Sequence, residues 1–342
     1  MYYSDKNKQT WKKLEEVIQN NRTFTITTHV NPDGDAVGSE LALYNFLRQR
    51  GKNVRIINGN PLPVVYNFLV DSPDLFGVFS EADEEWVAKC DVIFVLDISR
   101  LERLIWMESC IKSSTAYKVC IDHHEGNDCF TDLTIINESA CATAELIYEL
   151  IIILGGTIDR QTAEALYVAI LTDTGSFTHS NVTERAHFIA AELIKHGVKP
   201  AEIFNKVYAN SSWERVDLFM QTLSTLKKEC GGKLAWMKIT TDMFSAAGAV
   251  REEIEGFVDY PLNIAGVEMA ILFLEVPDRG TKISLRAKNK IDVHKFAQQF
   301  GGGGHKHSAG IRLFDVDIDS AVTRILEKAQ LLFTEPFGEA DK

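Results

Sequence analysis

Asp91-Val92-Ile93-Phe94-Val95-Leu96-Asp97 decides the fold: an apolar run between two aspartates, with no polar alternation inside it. A strand with one wet face alternates apolar and polar residues, whereas a strand covered on both faces does not. Tyr117-Lys118-Val119-Cys120-Ile121-Asp122 is nearly the same pattern, and Thr23–Thr28 and Val54–Asn58 are two further β-rich runs. Between and after them the apolar spacing turns helical: Ala36–Arg50, closed by Gly51; Ala142–Leu154, closed by Gly155-Gly156; and Arg160–Leu171. Alternating β and α elements predict an α/β unit, a mostly parallel sheet with helices on both faces. Ligands of such sheets collect at the carboxyl ends of the strands.

A chain of 342 residues exceeds one typical domain, and two are expected. After a helix over Thr183–His196 comes a mixed segment, Val198–Ser212, where the boundary is placed. The expected division is residues 1–197, a helical linker over 198–230 that carries a helix Trp213–Lys228, and residues 231–342. The last part reads as a smaller α+β unit. Its expected strands are Lys233–Thr240, Val267–Val276, Thr281–Ala287 and Ser308–Phe314, with helices Asp292–Phe300 and Asp319–Phe333. No apolar run approaches the roughly 20 residues of a membrane span. The polar start, Met1–Gln9, lacks a signal-peptide core, so a cytoplasmic protein is expected. Six scattered cysteines without a C-x-x-C pair argue against structural zinc and for reduced thiols. A net charge of −12 does not suit a protein that grips duplex DNA through its phosphates. It leaves room for cations, and for an anionic substrate once bound cations reverse the local sign.

The chemistry-bearing residues sit at the predicted strand ends. His29-Val30-Asn31-Pro32-Asp33-Gly34-Asp35 follows the first strand, Asp97 closes the third, and Asp122-His123-His124 closes the fourth. Asp173 follows a helix, in Leu171-Thr172-Asp173-Thr174-Gly175. Singly, each Asp could be a cap or a turn former; Asp35 could cap the helix from Ala36. Together, unpaired carboxylates meeting at one sheet edge would repel by several kcal/mol, roughly, at intermediate dielectric. Two divalent cations remove that cost, and a pair about 4 Å apart can activate a water and clamp a phosphoryl group. Carboxylate and imidazole ligands favour Mn2+, with Mg2+ as the alternative, over zinc. A second group lies in the C-terminal part. Gly301-Gly302-Gly303-Gly304 exposes backbone amides that can cradle an anion beside His305, and Ser284 and Arg286 could add a hydroxyl and a guanidinium for a terminal phosphate. His179, His187, His196 and His294 lack acidic neighbours in sequence and are read as surface or satisfied residues.

In this order, the motifs resemble those of the DHH phosphoesterases: His29 to Asp35, Asp97, the literal Asp122-His123-His124, and Thr172-Asp173-Thr174-Gly175. Gly301-Gly302-Gly303-Gly304-His305 resembles the signature of the associated DHHA1 domain. The compact length resembles the bacterial nano-RNases that also act on 3′-phosphoadenosine 5′-phosphate. The resemblance implies an active site between a DHH-like and a DHHA1-like domain. It implies that His29, Asp33 and Asp97 hold one metal ion, and that Asp35, Asp97, His123 and Asp173 hold the other. His124 would face the scissile phosphate, and Asp122 would orient its neighbours. Ser284, Arg286, Gly302, Gly303, Gly304 and His305 would hold the far end of the substrate. The expected reaction is hydrolysis of short oligoribonucleotides, dinucleotides or 3′-phosphoadenosine 5′-phosphate by a hydroxide between two divalent ions. The alternatives are exopolyphosphatase or pyrophosphatase activity, cyclic-dinucleotide hydrolysis, or a non-catalytic nucleotide sensor. The expected partners are short single-stranded RNA or small nucleotides, with no duplex DNA and no membrane; a homodimer stays open. The role of Arg100 and Arg103 stays open too.

Overall fold

The run Val92–Leu96 is a strand with all five residues fully buried. Each such Val, Ile, Phe or Leu contributes about 1.5–3 kcal/mol of gross transfer free energy, which only a sheet covered on both faces can collect. The computed structural model places this strand inside a six-stranded, wholly parallel sheet. It describes residues 8–98, 100–124, 126, 130–277 and 279–333, without the side chains of Lys8, Glu252 and His305. The strands are β1 (Thr23–Thr27), β2 (Asn53–Asn58), β3 (Phe76–Val78), β4 (Val92–Leu96), β5 (Tyr117–Asp122) and β6 (Leu133–Ile136), in the order β3-β2-β1-β4-β5-β6. The order reverses between β1 and β4, and that is where such sheets open a ligand crevice at their carboxyl ends.

The edge strands β3 and β6 are too short to show a period, and their sequences predict nothing. An amphipathic helix, Lys8–Asn20, was also not expected; Trp11, Leu14 and Ile18 on one of its faces are buried. Glycine sets the closest helix packing. A side chain at Gly34 would overlap Thr172, and one at Gly38 would overlap the Ala165 carbonyl and crowd Ala169. The helix Gly34–Gln49 therefore lies tightly against Arg160–Asp173, and the two helix ends that carry Asp35 and Asp173 are brought together.

The chain divides into two compact units between Asn210 and Ser211. The stretch read as a linker contributes to both. Helix Pro200–Tyr208 packs on the helix Arg160–Asp173, and helix Trp213–Ser224 packs on the second sheet. The latter helix ends at Ser224 rather than Lys228, because Lys227–Glu229 pairs as strand β7. The second sheet continues with β8 (Leu234–Ile239), β9 (Met269–Val276), β10 (Gly280–Ala287), β11 (Gly303–His305) and β12 (Ser308–Leu313), in the order β11-β12-β10-β9-β8-β7. Helix Ile318–Ala329 packs on β9 and β10 and closes the second core with Ile283, Leu285, Phe273 and Phe296. The tail from Glu335 lies outside the described residues.

Candidate metal centre

Asp33, not Asp35, is the N-cap of the helix Gly34–Gln49: one carboxylate oxygen accepts the Asp35 and Ala36 amides at 3.0 and 3.1 Å. Its other oxygen lies 4.0 Å from His29 Nε2. Asp35 points the other way, fully buried, and its oxygens accept the Thr143 and Ala144 amides at 2.6 and 3.0 Å. The helix Thr143–Ile153 begins on Ala142, which has no side chain to cap it. Asp35 supplies that cap from another element, where the positive helix end stabilises its charge.

Asp97 closes β4 with φ 58°, in the left-handed region that aspartate tolerates better than most residues. One of its oxygens lies 3.3 Å from His29 Nε2; the other accepts the Thr143 hydroxyl at 3.0 Å and lies 3.6 Å from His123 Nε2. His123 Nε2 is also 3.8 Å from Asp35 and 3.7 Å from Asp173. Asp122 is turned inward, and one of its oxygens accepts the amides of His123 and His124 and pairs with His124 Nδ1 at 2.8 Å. Two groups of ligand atoms result, His29–Asp33–Asp97 and Asp35–His123–Asp173, each with its atoms within 4.8 Å of one another; Asp97, His123 and His124 form a third.

The donor set suits a divalent cation. His29 Nδ1 is 2.9 Å from the Val30 carbonyl and His123 Nδ1 is 3.2 Å from the Ala140 carbonyl. A carbonyl only accepts, so both Nδ1 atoms carry hydrogen and both Nε2 atoms face the carboxylates, the tautomer a ligating imidazole takes. His123 Nε2 is buried with no hydrogen-bond partner. An orphan of this kind needs a reason, and a cation is one. Charge follows the same logic. Burial and the carboxylates of Asp97, Asp173 and Asp33 push Asp35 well above the usual range, and burial is the main cause lifting Asp173 to about 6. Burial would also raise Asp97, but the His29 hydrogen bond and the charges of His124, His29 and His123 hold it at about 2. Burial would depress His124; the Asp122 hydrogen bond and the Asp97 charge raise it to about 9. Burial would lower His29 as well, but the Asp97 hydrogen bond and the charges of Asp97 and Asp33 raise it; its proton compensates carboxylates as a divalent ion would, and metal binding would displace it.

Two residues of this region escaped the sequence reading. Thr143 touches Asp35 through its amide and Asp97 through its hydroxyl; nothing in Thr143-Ala144-Glu145-Leu146 marks it except its place at a helix start. Thr143→Val keeps the amide and loses the hydroxyl, and Mn2+ affinity measured by calorimetry should fall about 10–100-fold. Unchanged affinity would remove Thr143 from the centre. Glu40 is fully buried on the helix Gly34–Gln49; one oxygen accepts from Asn58 at 2.8 Å and the other has no partner. Asn58 in turn accepts the Thr28 amide at 3.2 Å, at the end of β1. Burial outweighs the Asn58 hydrogen bond, and the Asp97 charge adds to it, raising Glu40 to about 8. A carboxyl raised on folding binds its proton better in the folded protein, so its contribution to stability is full below about pH 4.5 and is lost as pH climbs to about 8. Glu40→Gln removes that loss. Unfolding free energies from urea titrations in chelator should show a gain at pH 8, on the order of a few kcal/mol, that is much smaller at pH 5. Equal gains at both pH values would contradict the assignment.

Arg103 offers its carbonyl to the Val30 amide at 3.2 Å, and its charge opposes protonation of His29 and His124; Arg100 is exposed, 3.8 Å from Glu102. In the second unit, register aligns Ser284 with Gly310 and Gly303, and Arg286 with Ser308, whose other neighbour is His305. Ile283 and Leu285 alternate with Ser284 and Arg286 and are buried, so the polar pair occupies the opposite face of β10. Arg286 is ion-paired with Asp259 at 2.9 Å. The glycine run is not a simple loop: Gly303–His305 is strand β11. Side chains at Gly302 and Gly304 would strike the backbone of Gly310 and Ser308, whereas one at Gly303 would meet open space. Close strand packing thus accounts for two of these glycines. The His305 side chain lies outside the described residues.

A carboxylate–imidazole cluster lies at the switch point of a parallel sheet, joined in one chain to a second β-rich unit, and similarity to known proteins places this frame among the phosphoester hydrolases. The chain belongs to the DHH family: the family's N-terminal domain matches residues 23–170 and the DHHA1 domain matches residues 224–335. It is 32% identical to the bifunctional oligoribonuclease and PAP phosphatase NrnA of Thermus thermophilus over 93% of each chain. It is 28% identical to the Bacillus subtilis protein of the same name, over 89% of this chain and 94% of the relative. An exopolyphosphatase-related protein from Bacteroides fragilis superimposes with a TM-score of 0.91 at 30% identity, covering 96% of this chain and 98% of that one. Among the described residues no helix is long and apolar enough to cross a membrane.

Proposed function

We propose that this protein is a cytoplasmic, divalent-metal-dependent phosphoesterase that hydrolyses short oligoribonucleotides and dinucleotides, and 3′-phosphoadenosine 5′-phosphate as well. The observation that carries the metal requirement is His123 Nε2, buried without a hydrogen-bond partner and facing Asp35, Asp97 and Asp173. The nucleotide substrates are supported by the relatives, named for activity on oligoribonucleotides and PAP over nearly the whole chain. His29, Asp33 and Asp97 are assigned to one ion; Asp35, Asp97, His123 and Asp173 to the other, with Mn2+ the better match and Mg2+ the alternative. Two such ions lower the pKa of a water and neutralise phosphoryl oxygens. Asp33 and Asp35 hold opposite sides of the centre because the first caps its own helix and the second caps another. Asp122 fixes the His124 ring at Nδ1, so that His124 can donate a proton to the leaving oxygen or stabilise its charge. Ser284, Arg286, Gly302, Gly303, Gly304 and His305 are assigned to the far end of the substrate, where Arg286 would exchange Asp259 for a phosphate.

Initial rates with Mn2+ or Mg2+ on diribonucleotides, longer oligomers, cyclic dinucleotides, 3′-phosphoadenosine 5′-phosphate and short polyphosphate test this. Turnover of diribonucleotides and 3′-phosphoadenosine 5′-phosphate, abolished by chelator, is expected. A preference for polyphosphate would favour the second reading, which the exopolyphosphatase-related neighbour keeps in view. Tight nucleotide binding without turnover would point to a sensor.

A further inference from the structure

The segment 101–107 leaves β4 and crosses the carboxyl ends of β1 and β2 before the helix Glu108–Ser113 begins. It is tied there at three points. The Arg103 carbonyl accepts the Val30 amide, Leu104 and Met107 are buried, and the Thr27 hydroxyl lies 3.9 Å from Met107 Sδ. Between these anchors Trp106 stays 50% exposed. Its indole lies beside Gly59, the residue after β2. A Cβ at Gly59 would be 3.3 Å from the indole Nε1 and Cζ2, and 3.2 Å from Val30 Cγ1. Val30 adjoins His29, so the indole and the ligand cluster share the carboxyl edge of β1.

The backbone is strained at this point. Ile105 has φ 48° and ψ −111°, a left-handed conformation that a β-branched residue adopts only under constraint. Such strain clusters at ligand sites and persists where the surroundings over-determine it.

We propose that Trp106 is the stacking platform for a nucleobase next to the scissile phosphate, and so a determinant of selectivity for nucleotides over base-free phosphates. This rests on the phosphoesterase reading above. A half-exposed indole beside a phosphate-processing centre offers a flat π-face to any base, with little preference among the four.

The test is a cycle between residue 106 and the base. Each enzyme is given a diribonucleotide and the same molecule with an abasic ribose at either position, and kcat/KM is compared within that enzyme. Partial loss of folded protein cancels in the ratio. The wild type should prefer the intact dinucleotide by about tenfold at one position. Trp106→Ala should reduce that preference to about twofold or less, and Trp106→Phe should retain most of it. An unchanged preference in Trp106→Ala overturns the proposal, and would leave the exposed indole to a protein contact. A wild type that hydrolyses no nucleotide at all would instead overturn the functional reading, so the two failures are told apart.

Discussion

Asp97→Asn should lower kcat/KM on diribonucleotides in Mn2+ by at least about a thousandfold, the equivalent of about 4 kcal/mol of lost transition-state stabilisation. Asp97 faces both ligand groups: it meets His29 through one oxygen and His123 and Thr143 through the other. The substitution suits the site, because asparagine tolerates the left-handed backbone at this position and is nearly isosteric. The fold should therefore survive while the charge is lost, and circular dichroism with a thermal scan will show whether it does. Two readouts separate the metal from the chemistry: initial rates against Mn2+ concentration, and Mn2+ binding by calorimetry. A variant with near-normal manganese-dependent turnover would sink the dinuclear scheme.

His124→Ala should lower kcat by about 100–10,000-fold while leaving Mn2+ affinity within a few-fold of the wild type. His124 turns its Nδ1 to Asp122, 2.8 Å away, and is not among the six residues assigned to the ions. If it protonates the leaving oxygen, the defect should shrink on an aryl phosphoester, whose leaving group needs no proton. A defect of equal size on both substrates would assign His124 to charge stabilisation. A large loss of Mn2+ affinity would make it a ligand, as its place in the Asp97–His123–His124 group allows.

Some of this site was legible because its signals are local. The run from Val92 to Leu96 announces a strand covered on both faces, and Asp97 and Asp122 stand where such strands end. His29, Asp33 and Asp35 lie within one loop and helix start, close enough in sequence to be read together. What the sequence hid is long-range. Gly34 looks like the second half of an Asp-Gly turn, but its missing side chain makes room for Thr172. Asp35 looks like the cap of its own helix and caps a helix more than a hundred residues away. Arg286 reads as a phosphate clamp and is paired with Asp259.

The residue types, their order and their strand-end positions are set along the chain, since apolar periodicity and turn chemistry act over a few residues. Which oxygen of each carboxylate faces inward, which imidazole nitrogen keeps a lone pair, and where Thr143, Glu40 and Trp106 lie are set by packing. Those facts depend on the approach of elements remote in sequence, here the close contact of two helices over Gly34 and Gly38 and the crossing of 101–107 over β1 and β2. No local pattern encodes such a distance, because it is the sum of many side-chain volumes fitted together.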